Sequence, residues 1–419
     1  MSLAEWASLE YGACVMGHAD RNAREAFIAR DIGRAVDRPY GEAACGDQKR
    51  ITAYNYFMES GQKKTSFDGI LSGPVECTWR RGLGAGLMRI HQDGTDISLN
   101  GLRMAEGLGD AGSNQTGGRF RGLHLHAGLA VDGQNRCLGI AGAVLLDPER
   151  TAPEDMISAE QTNLEERMRQ IWIRMARRCE EYAAYMPDTL VVAVGERECD
   201  FSGYHYAVSQ LAHVKSVVRA CRDRNLSDDP RTLFTFVSDQ EIAGTVKIGI
   251  ARQSALSGST AEKEMDAVRA LMNVRFCTVR IAPPPEMNDA DPLALHCVAA
   301  VEDGSAKPGG GERIAWILLT TCSVNSFEDA VAVVEHYASR WKLKKWHRVL
   351  KHGCQVEALS CGSRESLDRM LAFRVSEASR IMRALDLGCP DGDASLEAVF
   401  PEVEMMVLSA LAKKDGPEN

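Results

Sequence analysis

The feature that most constrains the fold of this chain is an unbroken apolar run at 189–194, Thr-Leu-Val-Val-Ala-Val. Such a run is typical of a strand that is buried on both faces, as in a parallel sheet. Helical spacing on either side, over 159–185 and 203–211, predicts helices that would cover those faces. A further β pattern at 215–220 predicts a neighbouring strand. The centre of the chain is therefore predicted to be α/β.

Three more strands are predicted ahead of this region, at 87–90, 122–131 and 137–146. Gly- and Asp-containing turns separate them, which indicates an antiparallel meander. Asp93-Gly94 is the first of these turns and is predicted to end the first strand. Three strands followed by helix, strand, helix and strand is the order of the ribonuclease H-like fold. We therefore expect an α/β protein with a ribonuclease H-like core.

The remaining segments predict further domains around this core. Helical spacing over 5–16, 21–36 and 48–60 predicts an N-terminal helical domain. The predicted boundaries are 1–75 for this helical domain, 76–224 for the first part of the core, 225–310 for a mostly β insertion, 311–380 for the second part of the core and 381–419 for a helical C-terminal tail. The second part of the core includes a predicted strand at 314–320 and one long helix at 326–351.

Composition limits the classes of function. The net charge of −9 argues against nucleic-acid binding unless basic residues cluster locally. No apolar run approaches the roughly 18 residues of a membrane span, and the first twelve residues lack the pattern of a secretory signal, so no membrane partner is expected. The 13 cysteines are scattered without a C-x-x-C pair, which favours a reducing compartment and a cytoplasmic protein.

Two acidic residues stand where strands are predicted to end. Asp93 follows the first strand, and Glu196 follows the buried run within Gly195-Glu196-Arg197-Glu198-Cys199-Asp200. Carboxylates from different strands that meet at one sheet edge can hold the divalent metals used in polynucleotidyl transfer. Alone, Asp93 would be interpreted as a turn residue and Glu196 as part of a loop that caps the next helix.

A basic and aromatic segment follows near the C-terminus. On a helix, Tyr337, Arg340, Lys344, Arg348 and Lys351 would share one face, with His347 beside them. Such a face can bind phosphate, although a solvated basic helix face would have the same pattern.

Together these segments resemble the DDE transposases of the Tn-five branch, the insertion-sequence-four family. Gln92-Asp93-Gly94-Thr95-Asp96 resembles the segment of the first catalytic aspartate, and Glu196-Arg197-Glu198-Cys199-Asp200 resembles the Asp-Arg-Glu-Ala-Asp motif of the second. The frame Tyr-x2-Arg-x3-Glu-x6-Lys is kept as Tyr337, Arg340, position 344 and Lys351. Further ordered matches are Ala53-Tyr54-Asn55-Tyr56-Phe57, Glu106-Gly107-Leu108-Gly109, Val217-Val218-Arg219, Trp316 to Thr320 and Gly353-Cys354-Gln355-Val356-Glu357.

The resemblance implies roles for individual residues. Asp93 and Glu196 would hold Mg²⁺ or Mn²⁺ and, with position 344, would form the catalytic triad. Tyr337, Arg340, His347, Arg348, Lys351, Arg219 and Trp316 would lie at the double-stranded DNA of a transposon inverted-repeat end. A homodimer on DNA is the partner arrangement that the family implies.

Two departures from the family pattern affect the expected chemistry. Glu196 replaces an aspartate and adds one methylene, and a ligand displaced by about 1 Å can cost about a hundredfold in rate. Lys344 replaces the family glutamate and cannot ligate a metal while protonated. Its positive charge would also weaken metal binding by several kcal/mol. The chain furthermore ends at Asn419, before the helical region that usually pairs two subunits.

We therefore expect a transposase-family DNA-binding protein, related to cut-and-paste DNA transposition, whose strand cleavage is lost or crippled and whose metal binding is weakened. Two alternatives remain open at the level of the sequence. One is an active metal-dependent transposase or nuclease that uses Asp93, Glu196 and another ligand. The other is a domesticated, non-catalytic DNA-binding regulator.

Overall fold

A computed structural model describes residues 2–12, 14, 19–59, 65–99, 110–113, 119–146, 164–253, 265–287, 289–304, 313–359 and 361–387. It is a mixed α/β structure with a large mixed sheet, as expected from the sequence. The chain divides into two compact units. The central unit comprises Gly86–Asp93 and Met168–Leu343, and the terminal unit comprises Met1–Ala85, Gly94–Arg167 and Lys344–Asn419.

The central unit contains a mixed sheet. Its strands, in chain order, are the first half of β1 (Gly86–Ser98), β5 (Thr189–Gly195), β6 (Val214–Arg219), β7 (Gly244–Gln253), β8 (Met265–Ile281), β9 (Leu293–Glu302) and β10 (Ala315–Thr320). In the sheet they lie in the order β1-β5-β6-β10-β9-β8-β7. The neighbours β1, β5 and β6 are parallel to one another. The remaining four pairs, β6–β10, β10–β9, β9–β8 and β8–β7, are antiparallel.

Four helices belong wholly or largely to this unit: α6 (Leu164–Ala183), α7 (Ser202–Ser209), α8 (Leu233–Ser238) and α9 (Phe327–Ala338). α9 begins at a capping box, in which Ser326 Oγ accepts from the Asp329 N–H and Asp329 accepts in return. Its apolar side chains Ala330, Val333 and Val334 are buried against Val192, Val194, Val217 and Leu318 of the sheet. This burial fixes the end of α9 above the neighbouring strands β1, β5 and β6.

The terminal unit contains helices at both ends of the chain. They are α1 (Leu3–Gly12), α2 (Ala19–Arg34), α3 (Tyr40–Ala43), α4 (Gln48–Met58), α5 (Phe67–Gly82) and α11 (Arg364–Leu387). Its strands β2 (Asp110–Ser113), β3 (Arg119–Asp132) and β4 (Cys137–Leu146) form an antiparallel group, and β3 also lies beside the second half of β1. α10 (Trp341–Arg348) runs from the central into the terminal unit.

Buried arginines of α11 hold the N-terminal helices. Arg374 donates to the carbonyls of Val36 and Arg38, which follow α2, and Arg369 donates to that of Met58 at the end of α4. A cation near the carbonyl end of a helix satisfies orphan acceptors and interacts favourably with the helix dipole. α11 therefore anchors the first helices of the chain through backbone contacts.

Most of the predicted elements are present close to the expected positions. The strands that overlap a predicted strand are β1, β3, β4, β5, β6 and β10, and β7, β8 and β9 lie within the predicted β insertion. The helices that overlap a predicted helix are α1, α2, α4, α6, α7 and α9. The β-rich segment extends the sheet of the central unit, because β9 pairs with β10. The Glu106–Gly109 motif and the tail beyond Leu387 lie outside the described residues.

Two predictions of local structure were wrong. Asp93 lies inside β1, which continues to Ser98 instead of turning at Asp93-Gly94. The single helix predicted at 326–351 is divided, because α9 ends at Ala338, α10 starts at Trp341 and a π-helical turn follows at Val349–Gly353. At the break, Ser339 Oγ donates to the His336 carbonyl, a side-chain bond that competes with the helical backbone ladder.

Candidate functional site

Three neighbouring strands of the central unit bring charged side chains into one row. β1 and β5 pair in parallel up to His91 with Val194, and Asp93 and Glu196 each lie two residues further along the chain. β5 and β6 pair up to Gly195 with Val218, and the next residues are Glu196 and Arg219. Side chains two residues apart along an extended chain point to the same face. The row therefore lies on the face that α9 covers, with Val194 and Val217.

The end of α9 adds two side chains to this row. The guanidinium of Arg340 bridges the acids, with Nη2 2.6 Å from Asp93 Oδ2 and Nη1 3.1 Å from Glu196 Oε2. The Tyr337 hydroxyl lies 3.0 Å from each carboxylate oxygen of Glu196 and donates to that carboxylate. We refer to Asp93, Glu196, Arg219, Tyr337 and Arg340 as the Arg340 cluster.

Arg219 completes the Arg340 cluster. Its Nη1 lies 3.6 Å from Glu196 Oε1 and donates to the Tyr337 hydroxyl at 3.4 Å. Burial raises the pKa of Tyr337 to about 12, with the Glu196 carboxylate adding to the effect, so the hydroxyl keeps its proton at neutral pH. Trp316 of β10 packs edge-on against Tyr337, with ring centroids 4.9 Å apart. Glu196 is thus contacted by the Tyr337 hydroxyl, by the guanidinium groups of Arg340 and Arg219, and by Arg197, whose backbone N–H donates to Oε1 at 3.2 Å.

Burial makes the contact between Arg340 and Asp93 significant. The side chains of Arg340 and Asp93 are only 8% and 5% exposed, whereas that of Glu196 is 23% exposed. Removing one partner of a buried ion pair leaves an uncompensated charge and typically costs about 3–5 kcal/mol. The Asp93–Arg340 pair therefore ties the residues after α9 firmly to β1.

A second polar group lies next to the Arg340 cluster on β1 and α9. Ser339 Oγ accepts from Arg89 Nη1 at 3.2 Å and lies 3.1 Å from His91 Nε2. Burial, followed by the charges of Arg89 and Arg340, holds the pKa of His91 well below its usual range. Burial and Arg89 lower the pKa of His336 to about 4. Both imidazoles are therefore neutral at pH 7, and the surroundings of Asp93 are rich in positive charge.

This arrangement does not fit a divalent metal while Arg340 keeps its bonds. Mg²⁺ requires carboxylate oxygens at about 2.0–2.1 Å in octahedral geometry. Asp93 Oδ2 already accepts from the guanidinium of Arg340, and Glu196 Oε2 forms an ion pair with the same group. Within the Arg340 cluster, the two negative charges of the acids are balanced by Arg340 and Arg219, so the cluster itself offers no surplus negative charge to a cation. The two expected metal ligands, Asp93 and Glu196, are adjacent, but their carboxylates form ion pairs with arginine.

The predicted site residues are divided between the two units. The central unit brings together Asp93, Glu196, Arg219, Trp316, Tyr337 and Arg340. Trp316 and Tyr337 are buried, and both Nη atoms of Arg340 are bonded to carboxylates. A phosphate contact by Arg340 would require these ion pairs to break.

The other predicted residues, Lys344, His347, Arg348 and Lys351, belong to the terminal unit. Lys344 and Arg348 are exposed, while His347 is buried beside Trp346. Lys351 Nζ lies 3.4 Å from Glu357 Oε1, which also accepts from the Ser98 N–H. Glu357 is therefore paired with Lys351 and with the Ser98 N–H within the terminal unit. The exposed cations of this segment are the ones most available to an anionic partner.

One buried cluster near the site was missed by sequence reasoning. Asp200 accepts from the N–H groups of Cys221 and Arg222, lies 3.0 Å from His205 Nε2 and pairs with Arg224 at 2.6 Å. These bonds hold the pKa of Asp200 well below its usual range despite its burial. Asp200 joins the loop after β5 to the loop after β6 and so supports the position of Glu196. Its position four residues after Glu196 was visible in the sequence, but its partners were not.

No family model matches the chain. Among the described residues, no helix is both long and apolar enough to cross a membrane.

Proposed function

We propose that this chain is a transposase-family protein with a ribonuclease H-like core that binds DNA ends and has lost metal-dependent strand cleavage. The observation that carries the proposal is the placement of Asp93 on β1 and of Glu196 directly after the neighbouring parallel strand β5, where both carboxylates pair with Arg340 beside Tyr337. This is the arrangement that the resemblance implies for the first two acids of a DDE transposase.

The strand connections support the proposed core. β3 pairs antiparallel with β4 and lies beside the second half of β1, while the first half of β1 pairs parallel with β5, and β5 with β6. An antiparallel meander followed by two parallel strands is the expected ribonuclease H-like order. The β-rich segment before β10 agrees with the expected insertion.

The loss of cleavage is supported by position 344, which is lysine where the family motif has glutamate. With this acid absent, Arg340 pairs with both remaining acids. An active nuclease using Asp93 and Glu196 would first have to release them from this guanidinium. We therefore favour a DNA-binding protein over the metal-dependent nuclease, with Mg²⁺ or Mn²⁺ binding weakened.

For DNA binding, we assign the main phosphate contacts to exposed Arg348 and half-buried Lys351 of the terminal unit. Arg348→Ala and Lys351→Ala should each weaken binding of a duplex that carries a candidate inverted repeat from the flanks of the gene. Each should also reduce the slope of log K against log salt by about one unit per lost phosphate contact. The measurement is fluorescence anisotropy over a salt series.

The control is Arg136→Ala, which removes an arginine that is 57% exposed and paired with Asp132 at the β3–β4 turn. This variant should leave both affinity and slope unchanged. Equal binding of the inverted repeat and of a shuffled duplex would favour a regulator without end specificity. An unchanged slope in both test variants would remove the assignment of Arg348 and Lys351.

A further inference from the structure

Arg340 stands between Asp93 and Glu196 as a fixed cation. Its two Nη atoms reach one oxygen of each acid, and the Arg340 side chain is 8% exposed. The guanidinium thus has the position relative to the two carboxylates that a shared metal ion would need. A planar guanidinium with two parallel donors suits two carboxylates well and is always charged.

We propose that, with lysine at position 344, Arg340 serves as the counter-cation of the Asp93–Glu196 pair and excludes divalent metal from it. The inference deepens the proposed function, because it names the group that occupies the two remaining acids when the third acid is absent. Its physical basis does not require that the chain binds DNA.

The charge around the pair supports this inference. Within 3.6 Å the two acids meet the guanidinium groups of Arg340 and Arg219, which balance them. Arg89, another buried guanidinium, is bonded to Ser339 next to Arg340. A divalent ion that displaced Arg340 would lie close to the displaced charge and to these neighbours. Like charges repel most strongly where water is excluded. Metal binding is therefore opposed unless the charge of Arg340 is removed.

The test uses the full chain, stripped of metal with a chelator, and Mn²⁺ as the probe. Binding is followed by the electron paramagnetic resonance signal of free Mn²⁺ and by calorimetry. The unmodified chain should show no saturable Mn²⁺ site that depends on Asp93. Arg340→Gln should gain one, with at least a tenfold lower apparent Kd, and the additional change Asp93→Asn should abolish the gain.

A matched control is available in the same unit. Arg231 also bridges two carboxylates, with 2.7 Å to Asp229 and 3.2 Å to Asp239, but it is 40% exposed. Arg231→Gln should create no comparable site, because Asp239 is 53% exposed and the two aspartates are not held together at the sheet edge. A similar gain in Arg231→Gln would show that the effect is nonspecific and would overturn the inference.

The comparison of the unmodified chain with Asp93→Asn decides the question if Arg340→Gln does not fold. Identical Mn²⁺ isotherms for these two proteins support the inference. Stoichiometric Mn²⁺ binding by the unmodified chain that Asp93→Asn removes would overturn it, as would a folded Arg340→Gln without any gain. Failure to bind DNA ends would overturn the proposed function and leave these metal-binding results unaffected.

Discussion

Tyr337 connects the acidic and basic parts of the Arg340 cluster through its hydroxyl. The hydroxyl donates to Glu196 and accepts from Arg219. It is buried, whereas the carboxylate of Glu196 keeps some access to solvent. Removing the Tyr337 hydroxyl would take one hydrogen-bond donor from Glu196 and one acceptor from Arg219.

Tyr337→Phe should therefore destabilise the protein by about 1–2 kcal/mol, the usual range for a hydrogen bond to a charged group that retains partial solvation. The ring and its edge-on contact with Trp316 would remain. The measurement is the denaturant concentration at the midpoint of unfolding, compared between proteins that have the same dependence of the free energy of unfolding on denaturant. Tyr185→Phe is the control, because Tyr185 is 82% exposed and its hydroxyl is solvated. A difference below about 0.5 kcal/mol between the two variants would contradict the assigned role.

At the scale of single residues, the sequence predicted the proximity of Asp93 and Glu196 but not the partner of Arg340. Proximity follows from the rule that parallel strands end at one sheet edge. The partner of Arg340 depends on where α9 stops, and that is set by Ser339 through its contacts with His336, His91 and Arg89. Such non-local contacts leave no periodic signal in a sequence.

At the scale of elements, α2 carries a buried acid in an unusual setting. Glu25 is fully buried within the terminal unit, and its carboxylate oxygens have no hydrogen-bond partner among the described residues. Burial raises its pKa well above the usual range. The Cys14 thiol and the Tyr11 hydroxyl lie nearby. Burial and the Glu25 charge raise the pKa of Cys14, and burial, then the charge of Glu377 and to a lesser extent that of Glu25, raise the pKa of Tyr11. Neither group neutralises a Glu25 carboxylate at neutral pH.

Glu25 should therefore make stability depend on pH. Its folded pKa lies above its unfolded value, so its contribution is fully present below the unfolded pKa and is lost as pH rises through the folded pKa. Each unit of pKa shift corresponds to about 1.4 kcal/mol. Glu25→Gln should remove this dependence and raise the free energy of unfolding at pH 7 and above.

Urea unfolding between pH 4.5 and 8 would measure this effect. Glu59→Gln is the matched control, because Glu59 is exposed at the end of α4, and it should leave the pH profile unchanged. A profile for Glu25→Gln that runs parallel to that of the unmodified chain would show that Glu25 is ionised or relieved by a partner in the folded state.

Element prediction succeeded where a hydrophobic period dominates and failed where tertiary contacts decide. The run at β5 and the alternation along β9 are clear local signals. α5 contains Pro74 and three glycines, which predict against a helix, yet burial of Phe67, Ile70, Leu71, Val75 and Trp79 stabilises it. The division between α9 and α10 could likewise not be predicted from the sequence, because the segment 326–351 has continuous helical spacing.

At the scale of the whole molecule, the chain forms each compact unit from separated segments. The central unit takes Gly86–Asp93 and Met168–Leu343, so the first acid of the Arg340 cluster lies at the end of the shorter segment. The sequence predicted the mixed α/β class and most strands, because these follow from local pattern. The predicted domain boundaries stay a prediction, as does the role of residues 1–75 at a DNA end.

The central claim, DNA binding without metal-dependent cleavage, can be tested in one assay. A supercoiled plasmid carrying the genomic flanks of the gene is incubated with the unmodified chain and Mn²⁺, and nicking and gel-shift binding are scored together. The account predicts saturable binding with no nicking above the chelator control. Nicking that requires Mn²⁺ and disappears in Asp93→Asn would contradict it, because Asp93 would then support catalysis despite its bond to Arg340.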